Sequence, residues 1–226
     1  MSDIDLKIRS RDIGTLLKMI KNSNPDIDLA VIQKAYLFAN VAHEGQQRLS
    51  GEPYIVHPLE VGIILAGFKL DTDTIAAALL HDTVEDTGTT LDMIEKAFGE
   101  EVARLVDGVT KISSIKSRTK ATAQAATLRK MLIATVKDIR VIIIKLADKL
   151  HNMRTIMFQP PETQTRVAKE ALDIYAPLAR RLGMSKISSE LEDLASASSI
   201  PTPTTRYGTT SRSGTRNWKS TWKTSG

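Results

Sequence analysis

The chain has 226 residues, enough for one domain with a full-sized core, and a net charge of +5. It contains no cysteine, which excludes disulfides, thiolate metal sites and a cysteine nucleophile, and suits a reducing cytoplasm. Residues 196–226 carry five basic side chains and no acidic one, so residues 1–195 hold 26 of each sign. Because that body is neutral, we expect no groove in it that binds nucleic acid specifically.

Neither the amino terminus nor the apolar runs resemble a segment that enters a membrane. The first residues lack the basic and apolar regions of a signal peptide. The longest apolar runs, 75–80 and 141–144, are far shorter than the roughly 20 residues that span a bilayer. We therefore expect a cytoplasmic protein with no membrane partner, and the sequence leaves its oligomeric state open.

Apolar residues recur with helical spacing along residues 1–195, which predicts an all-α domain. The run 141–144 alone resembles a buried strand, but helical spacing continues through Leu146 and Leu150, so we predict a helix there as well. The predicted helices cover residues 3–22, 29–44, 59–67, 73–86, a segment from the capping-box pair Thr89 and Asp92 through Phe98, 100–107, 124–136, 138–158, 162–182 with an interruption near Pro177, and 185–195.

The loop between the second and third predicted helices is rich in glycine, proline and hydrogen-bond donors. Arg48 and Ser50 lie within it, and His57 comes just before Pro58, which can open a helix. A loop of this kind can hold a phosphate or a base. For His57 considered alone, a hydrogen-bonded loop histidine is the more ordinary role.

The predicted helix 73–86 carries one histidine and three carboxylates in its last turns. Helical spacing places His81 over Glu85, and Asp82 over Asp86, so the four side chains share one face. Three carboxylates this close repel one another unless a cation lies among them. A solvated acidic helix end is the ordinary explanation of a charge cluster, but the adjacent imidazole and carboxylate favour a divalent metal site.

A polar stripe of Asp148, Asn152 and Thr155 runs along the otherwise apolar helix 138–158. A buried aspartate must be paired with a cation or bound to a metal. An ordinary salt bridge and a metal site explain this stretch equally well.

Taken in order, His57, the His81-Asp82 pair and Asp148 resemble the pattern of the HD superfamily of metal-dependent phosphohydrolases. Two imidazoles and two carboxylates suit Mn²⁺, Fe²⁺ or Zn²⁺. Residues 29–195 resemble, more specifically, the hydrolase half of the RelA/SpoT alarmone enzymes, which remove the 3′-pyrophosphate from (p)ppGpp. The segments that carry this resemblance are 43–58, 78–87, 98–111 and 138–155.

The resemblance implies an HD-type helical bundle and assigns roles to individual residues. Glu85 and Asp86 match the pair that positions and deprotonates the attacking water. The ligands implied for a manganese ion are His57, His81, Asp82 and Asp148. The positions implied to contact the nucleotide are Arg48, Ser50, Tyr54, Asn152 and Thr155.

The chain departs from the family pattern at two places. Family members often have a basic residue where this chain has Leu49, so we expect a guanine or phosphate contact to be altered or lost there. Bifunctional members continue into a synthetase domain, whereas the resemblance here stops near Ala195. Hydrolase-dead members lose the His-Asp pair, which this chain keeps, so we expect hydrolysis to be retained.

Two segments lack an apolar face. Residues 111–123 are polar and basic, and both a lid over a site and an inert solvated loop fit that composition. Residues 196–226 are rich in serine and threonine, and we expect a disordered basic tail after a hydrolase domain of residues 1–195. One hypothesis is that the tail arises by frameshift or truncation of a longer bifunctional enzyme; the alternative is a stand-alone hydrolase with a natural extension. The gene's nucleotide sequence decides between them.

Together these features predict a stringent-response enzyme that converts ppGpp or pppGpp into GDP or GTP plus pyrophosphate. One alternative is a related HD phosphohydrolase that acts on another phosphorylated nucleotide, and Leu49 keeps it open. Another is a module that binds the alarmone without turning it over. The complete ligand set and the Glu85-Asp86 pair argue against that second alternative, because a sensor needs no catalytic base.

Overall fold

The computed structural model describes residues 12–113 and 138–198, and every regular element in these two ranges is helical. The only strand-like pairing in these ranges is a single antiparallel bridge between Gln47 and Pro53. The predicted all-α fold is thereby confirmed. The segments that lie outside the described residues are 3–11 of the first predicted helix, 114–123 of the predicted loop, the predicted helix 124–136, and 199–226 of the tail.

Aspartate and threonine side chains start many of the helices by accepting backbone N–H groups that have no partner within the helix. The capping residues are Asp12, Asp28, Asp71, Thr90 and Asp138. The helices are α1 (Ile13–Ser23), α2 (Leu29–Ala42), α3 (Val56–Ala66), α4 (Thr72–Leu80), α5 (Thr83–Asp86), α6 (Leu91–Phe98), α7 (Glu100–Ser113), α8 (Ile139–Arg154), α9 (Pro161–Glu170), α10 (Ala176–Arg181) and α11 (Ser185–Ser198). A 3₁₀ turn, Ile156–Phe158, follows α8, and a π-helical turn, Ala171–Tyr175, joins α9 to α10.

Helix α4 lies at the centre of the core. Seven of its nine residues are buried, and it packs against α2, α3, α7 and α8. Ala76, Ala77 and Ala78 let these neighbours approach closely, because a methyl side chain keeps the helix thin on every side. This central helix ends at Leu80, immediately before the His81-Asp82 pair.

The prediction of one unbroken helix over residues 73–86 is wrong. Helix α4 ends at Leu80, His81 and Asp82 form a turn, and the single-turn helix α5 follows. The Thr83 hydroxyl donates to the carbonyl of Leu80 at 2.7 Å, which gives that carbonyl a side-chain partner in place of the next helical amide. The amide of Asp86 still donates to the carbonyl of Asp82 at 2.9 Å, so these two residues keep their helical spacing.

Several predicted element bounds need smaller corrections. Helix α3 starts at Val56, so His57 lies in its first turn, where Pro58 is tolerated because the amides there have no helical partner. The cap of α6 is Thr90 instead of Thr89. The predicted helix 138–158 ends at Arg154 before the 3₁₀ turn. The remaining differences are that α7 extends through residues 111–113 of the predicted loop and that α11 continues to Ser198. The predicted interruption of helix 162–182 near Pro177 is confirmed, because the π-helical turn ends at Tyr175.

Among the described helices, none combines the length and apolar character needed to cross a bilayer.

Candidate metal centre and active site

Side chains from three separate parts of the chain converge at the carboxyl end of α4. His57 comes from the first turn of α3, His81 and Asp82 from the turn after α4, and Asp148 from the third turn of α8. Nε2 of His57 lies 3.3 Å from Oδ1 of Asp148 and 3.4 Å from Oδ2 of Asp82. Nε2 of His81 lies 3.1 Å from Oδ1 of Asp82 and 3.9 Å from Oδ1 of Asp148. One compact cluster results, with His57, His81 and Asp148 all buried.

The hydrogen bond of His81 fixes which of its nitrogens carries the proton. Nδ1 of His81 lies 2.8 Å from the carbonyl oxygen of Ala78, and a carbonyl can only accept, so Nδ1 is the donor. In the neutral ring, Nε2 then holds a bare lone pair. That nitrogen is buried and has no hydrogen-bond partner among the described residues. A buried, bare nitrogen that faces carboxylate oxygens is poorly solvated unless a cation lies between them.

His57 makes a hydrogen bond to a second buried histidine. Its Nδ1 lies 2.7 Å from Nδ1 of His151. Burial lowers the pKa of His57 below its ordinary 6.5, because the imidazolium form would lose its hydration. Burial and the nearby His57 ring lower the pKa of His151 to about 2, so His151 is neutral at physiological pH.

The two oxygens of Asp148 have different neighbours. Oδ2 accepts from the Lys145 ammonium at 2.7 Å, while Oδ1 accepts from Nδ2 of Asn152 at 2.5 Å and faces the two imidazoles. Burial alone would raise the pKa of Asp148, but the nearby charge of Lys145 outweighs it and holds that pKa well below 3.8. Asp148 is therefore an anion in a buried position.

The residues fit a divalent cation. Metal–nitrogen and metal–oxygen bonds of about 2.1 Å at right angles place neighbouring ligand atoms about 3 Å apart. The nitrogen–oxygen distances of 3.1 to 3.9 Å in the cluster are close to this spacing, and His57, His81 and Asp148 each offer an atom within 4.8 Å of the others. Asp82 turns one oxygen toward each imidazole, which makes it a suitable fourth ligand.

A pocket of about 520 Å³ lies over the cluster and gathers most of the predicted site residues. Glu85 and Asp86 lie at its exposed side, and cationic side chains line it as well as acidic ones. The predicted site residues that border it are Arg48, Tyr54, His57, Asp82, Glu85, Asp86, Asp148 and Asn152. Anions therefore have cationic partners within reach of the metal cluster.

Three predicted nucleotide-contacting residues form one hydrogen-bonded group. A guanidinium nitrogen of Arg48 donates to Oδ1 of Asn152 at 2.9 Å and lies 3.5 Å from the Thr155 hydroxyl. Because Asn152 also donates to Asp148, this group links the loop to the metal cluster. Within the described ranges, Ser50 makes no hydrogen bond to this group: its hydroxyl donates to Glu52 at 3.1 Å. Ser50 and Thr155 both border a separate groove instead of the pocket.

Sequence reasoning missed two buried neighbours of the cluster, Lys145 and His151. Both lie three residues from Asp148 along the chain, one on each side, and therefore on the same face of α8. Neither belongs to the polar stripe of Asp148, Asn152 and Thr155. Their i−3 and i+3 spacing from Asp148 is the signal in the sequence that marks them as its neighbours on the helix.

Comparison with known proteins agrees with this geometry. A family model described as an HD domain matches residues 35–185, which include the whole cluster. The chain belongs to the HD-domain family. Its all-α bundle and its cluster of two histidines and acidic residues are the features of an HD domain that the sequence predicted.

Two curated relatives of this HD domain are much longer proteins. The GTP pyrophosphokinase of Myxococcus xanthus is 54% identical over 179 residues, which are 78% of this chain and 24% of that protein. The bifunctional (p)ppGpp synthase/hydrolase SpoT of Escherichia coli K12 is 52% identical over 180 residues, which are 80% of this chain and 26% of that protein. The HD-domain chain thus spans about a quarter of the length of these relatives.

A solved structure of similar size also matches. It is described as a metazoan ortholog of SpoT that hydrolyses ppGpp and plays a role in starvation responses. The match has a TM-score of 0.54 and 28% identity, and covers 74% of this chain and 95% of that one.

Proposed function

We propose that this HD domain is a metal-dependent hydrolase that removes the 3′-pyrophosphate from ppGpp or pppGpp, with Mn²⁺ as its metal. The observation that carries the proposal is the buried cluster of His57, His81 and Asp148 beneath a pocket whose lining includes cationic as well as acidic side chains. The activity that its metazoan structural neighbour's description states, ppGpp hydrolysis, supports the same reaction.

The proposed reaction is a hydrolysis at phosphorus. Water adds to the phosphorus bound to ribose O3′, the P–O3′ bond breaks, and the products are GDP or GTP and pyrophosphate. A divalent ion supplies Lewis-acid polarisation of the phosphoryl group. The residues that would hold it are His57, His81, Asp82 and Asp148.

The remaining roles fall to protein side chains around the pocket. Asp86 already accepts the Tyr54 hydroxyl at 2.6 Å, so we assign it to positioning the water and Glu85 to taking the proton. Arg48, Asn152 and Thr155, which bond to one another, are suited to exchange these contacts for contacts with a nucleotide. Ser50 and Tyr54 complete the proposed nucleotide set.

The test is pyrophosphate release from ppGpp by the full chain, first with EDTA and then with added Mn²⁺ and other divalent metals. Glu85→Gln should lower kcat by about 10²- to 10⁴-fold with nucleotide binding kept, since it removes a base. Glu95→Gln, on the exposed side of α6, is the matched control and should behave as wild type. Turnover that survives in Glu85→Gln would reject its role, and tight ppGpp binding without turnover by the wild type would identify a binding module instead.

Leu49 gives a second candidate function a specific basis. This side chain is 67% exposed and borders the pocket, where an apolar group cannot pair with a phosphate. A related activity on another 2′- or 3′-phosphorylated nucleotide is consistent with that surface. A substrate panel separates the two activities, and Leu49→Arg should lower KM for ppGpp while leaving kcat close to wild type if ppGpp is the substrate.

Two further proposals concern the extent and compartment of the domain. We place the hydrolase in residues 1–195 and treat residues 196–226 as an appendage. Truncation after Ser198, where α11 ends, should therefore leave the melting temperature and hydrolysis nearly unchanged. The lack of cysteine suits the reducing cytoplasm, which we propose as the compartment.

A further inference from the structure

His151 is a buried histidine of α8 to which the proposed reaction gives no role. It is 6% exposed and lies three residues after Asp148. Its ring centroid lies 4.9 Å from that of His57, with the ring planes tilted by 38°, and the two Nδ1 atoms are 2.7 Å apart. This distance requires a hydrogen bond, because two bare nitrogens would not approach so closely.

Counting protons leaves two arrangements for the pair. The two Nδ1 atoms share one proton, so one ring donates and the other accepts. If His151 donates, neutral His57 carries its own proton on Nε2, the atom that faces Asp82 and Asp148. If His57 donates, its Nε2 is bare and can bind a cation, and His151 must then hold its proton on its own Nε2.

We propose that His151 is a positioning residue for the metal centre. In this role Nδ1 of His151 accepts the hydrogen bond from Nδ1–H of His57, and Nε2 of His57 thereby stays bare and able to bind the metal. The inference rests on the metal site of the proposed function. It adds a requirement to the proposed ligand set, namely a hydrogen-bond acceptor for Nδ1 of His57. Metal-binding histidines are commonly held in this way through their second nitrogen.

The two imidazoles of the cluster differ in how they are held. Nδ1 of His81 donates to the backbone carbonyl of Ala78, which no substitution removes. Within the described ranges, His151 is the only hydrogen-bond partner of Nδ1 of His57. The tautomer of His57 therefore depends on a side chain and can be tested by mutation.

The position of His151 also suits the tautomer that the proposal requires. His151 borders a second groove of about 1,050 Å³, which neither His57 nor Asp148 borders. Solvent in that groove can accept the Nε2 proton of His151. The accepting tautomer of His151 is then formed without leaving a buried N–H group unpaired.

The test compares His151→Leu, which removes the acceptor, with His151→Asn, whose amide oxygen can replace Nδ1. Met153→Leu, a change at a buried residue of the same helix that borders neither the pocket nor the second groove, is the matched control. Mn²⁺ dissociation constants are measured by calorimetry on the EDTA-stripped full chain, together with the melting temperature of the stripped chain and pyrophosphate release. We expect His151→Leu to weaken Mn²⁺ binding by about 10- to 100-fold, with His151→Asn and Met153→Leu close to wild type. Equal Mn²⁺ affinity in wild type and His151→Leu would overturn the inference, as would an equal loss in Met153→Leu.

A spectroscopic measurement on the wild type covers the case in which His151→Leu does not fold. In the Zn²⁺-loaded chain labelled with ¹⁵N-histidine, nitrogen–proton correlations should show His57 protonated at Nδ1 and His151 protonated at Nε2. A bare Nδ1 on His57 would overturn the inference. The readouts also separate the two proposals. If the chain does not turn over ppGpp but its Mn²⁺ affinity depends on His151, only the proposed substrate is rejected. If turnover is normal and His151→Leu binds Mn²⁺ as tightly as wild type, only the role of His151 is rejected.

Discussion

The hydroxyl of Tyr54 lies 2.6 Å from a carboxylate oxygen of Asp86 and donates a hydrogen bond to it. The same hydroxyl lies 2.9 Å from Oδ2 of Asp82, so a single phenol shares its proton between a proposed metal ligand and a proposed water-positioning group. Burial and the charge of Asp82 raise the pKa of Tyr54 above its ordinary 10.0, so it remains a donor at physiological pH.

Tyr54→Phe should therefore lower kcat for pyrophosphate release by about 10- to 100-fold, because both carboxylates lose the group that orients them. The ring itself stays, stacked on His43 with centroids 4.4 Å apart, so the melting temperature should change little. The measurement is kcat and KM for ppGpp at saturating Mn²⁺. Tyr36→Phe, which changes a half-buried tyrosine of α2 that does not border the pocket, is the control. A Tyr54→Phe kcat equal to that of Tyr36→Phe would refute the proposed role of Tyr54.

The features that could be predicted from the sequence are those encoded by short stretches of residues. Helical spacing predicted most helices, and the resemblance of His57, the His81-Asp82 pair and Asp148 to the HD pattern implied the residues that the structure brings together in one cluster. The turn at His81 was missed because the Thr83 hydroxyl competes for the carbonyl of Leu80, a hydrogen bond that apolar spacing does not encode.

The role of His151 could not be predicted, because its partner His57 is 94 residues away in the chain. The i−3 spacing of Lys145 from Asp148 indicates that the two residues are neighbours on one helix face. Whether the lysine side chain is buried beside Asp148 depends on packing, which this spacing does not predict. The sequence thus sufficed to nominate the proposed ligands, while the side chains that contact these ligands became visible only in the structure.

Lys145→Met should destabilise the metal-free chain by about 3–5 kcal/mol, because it leaves the Asp148 carboxylate buried without its 2.7 Å ammonium partner. Mn²⁺ should restore part of this loss by supplying a replacement cation. The measurement is urea unfolding with EDTA and with Mn²⁺. The control is Lys149→Met, which removes a cation that lies 5.4 Å from the centroid of the Tyr175 ring. It should lower the free energy of unfolding by only about 1 kcal/mol. A Lys145→Met loss that equals this control would show that the ion pair contributes little.

Asp138→Ala should lower the free energy of unfolding by about 1–2 kcal/mol at pH 7, since it removes the cap of α8. The same carboxylate accepts from Arg104 and Arg140, each at 2.6 Å, which ties α8 to α7. Asp28→Ala removes a cap of α2 that has no arginine partner among the described residues, and it should lower the free energy of unfolding by less than Asp138→Ala does. Urea unfolding of the two variants measures the difference, and equal losses would assign the whole effect to capping.

The loss in Asp138→Ala should shrink in acid. Hydrogen bonds from Arg140 hold the pKa of Asp138 below its ordinary 3.8, so the folded state keeps the carboxylate ionised where the unfolded state is protonated. Such a group contributes its whole stabilisation at pH values above its pKa in the unfolded state. This contribution is lost as the pH falls toward the lower pKa of the folded state. Between pH 7 and pH 3 the gap between wild type and Asp138→Ala should narrow by about 1 kcal/mol. A gap that stays constant over this range would contradict the lowered pKa.

Gly108→Ala should destabilise the fold by up to about 2 kcal/mol, although alanine is the better helix former. A methyl group at Gly108 would lie 2.8 Å from Cγ2 and 3.2 Å from Cγ1 of Val141, where α7 and α8 are in contact. Valine cannot rotate away easily, because its branched β-carbon restricts χ1 in a helix. Overpacking of this kind costs about 1–3 kcal/mol and outweighs the gain of about 1 kcal/mol in helix propensity. Gly88→Ala, where a methyl group would meet no atom within 4 Å, is the control.

Removing the valine γ-carbons should relieve the clash, so Gly108→Ala and Val141→Ala should not be additive. The double variant should be more stable than the sum of the two single losses predicts, by about 0.5–3 kcal/mol. Urea unfolding of the four proteins at pH 7 measures this coupling. A coupling of zero would mean that α7 and α8 move apart to accept the methyl group, which would also shift Asp148 on α8 and should then appear as weaker Mn²⁺ binding in Gly108→Ala alone.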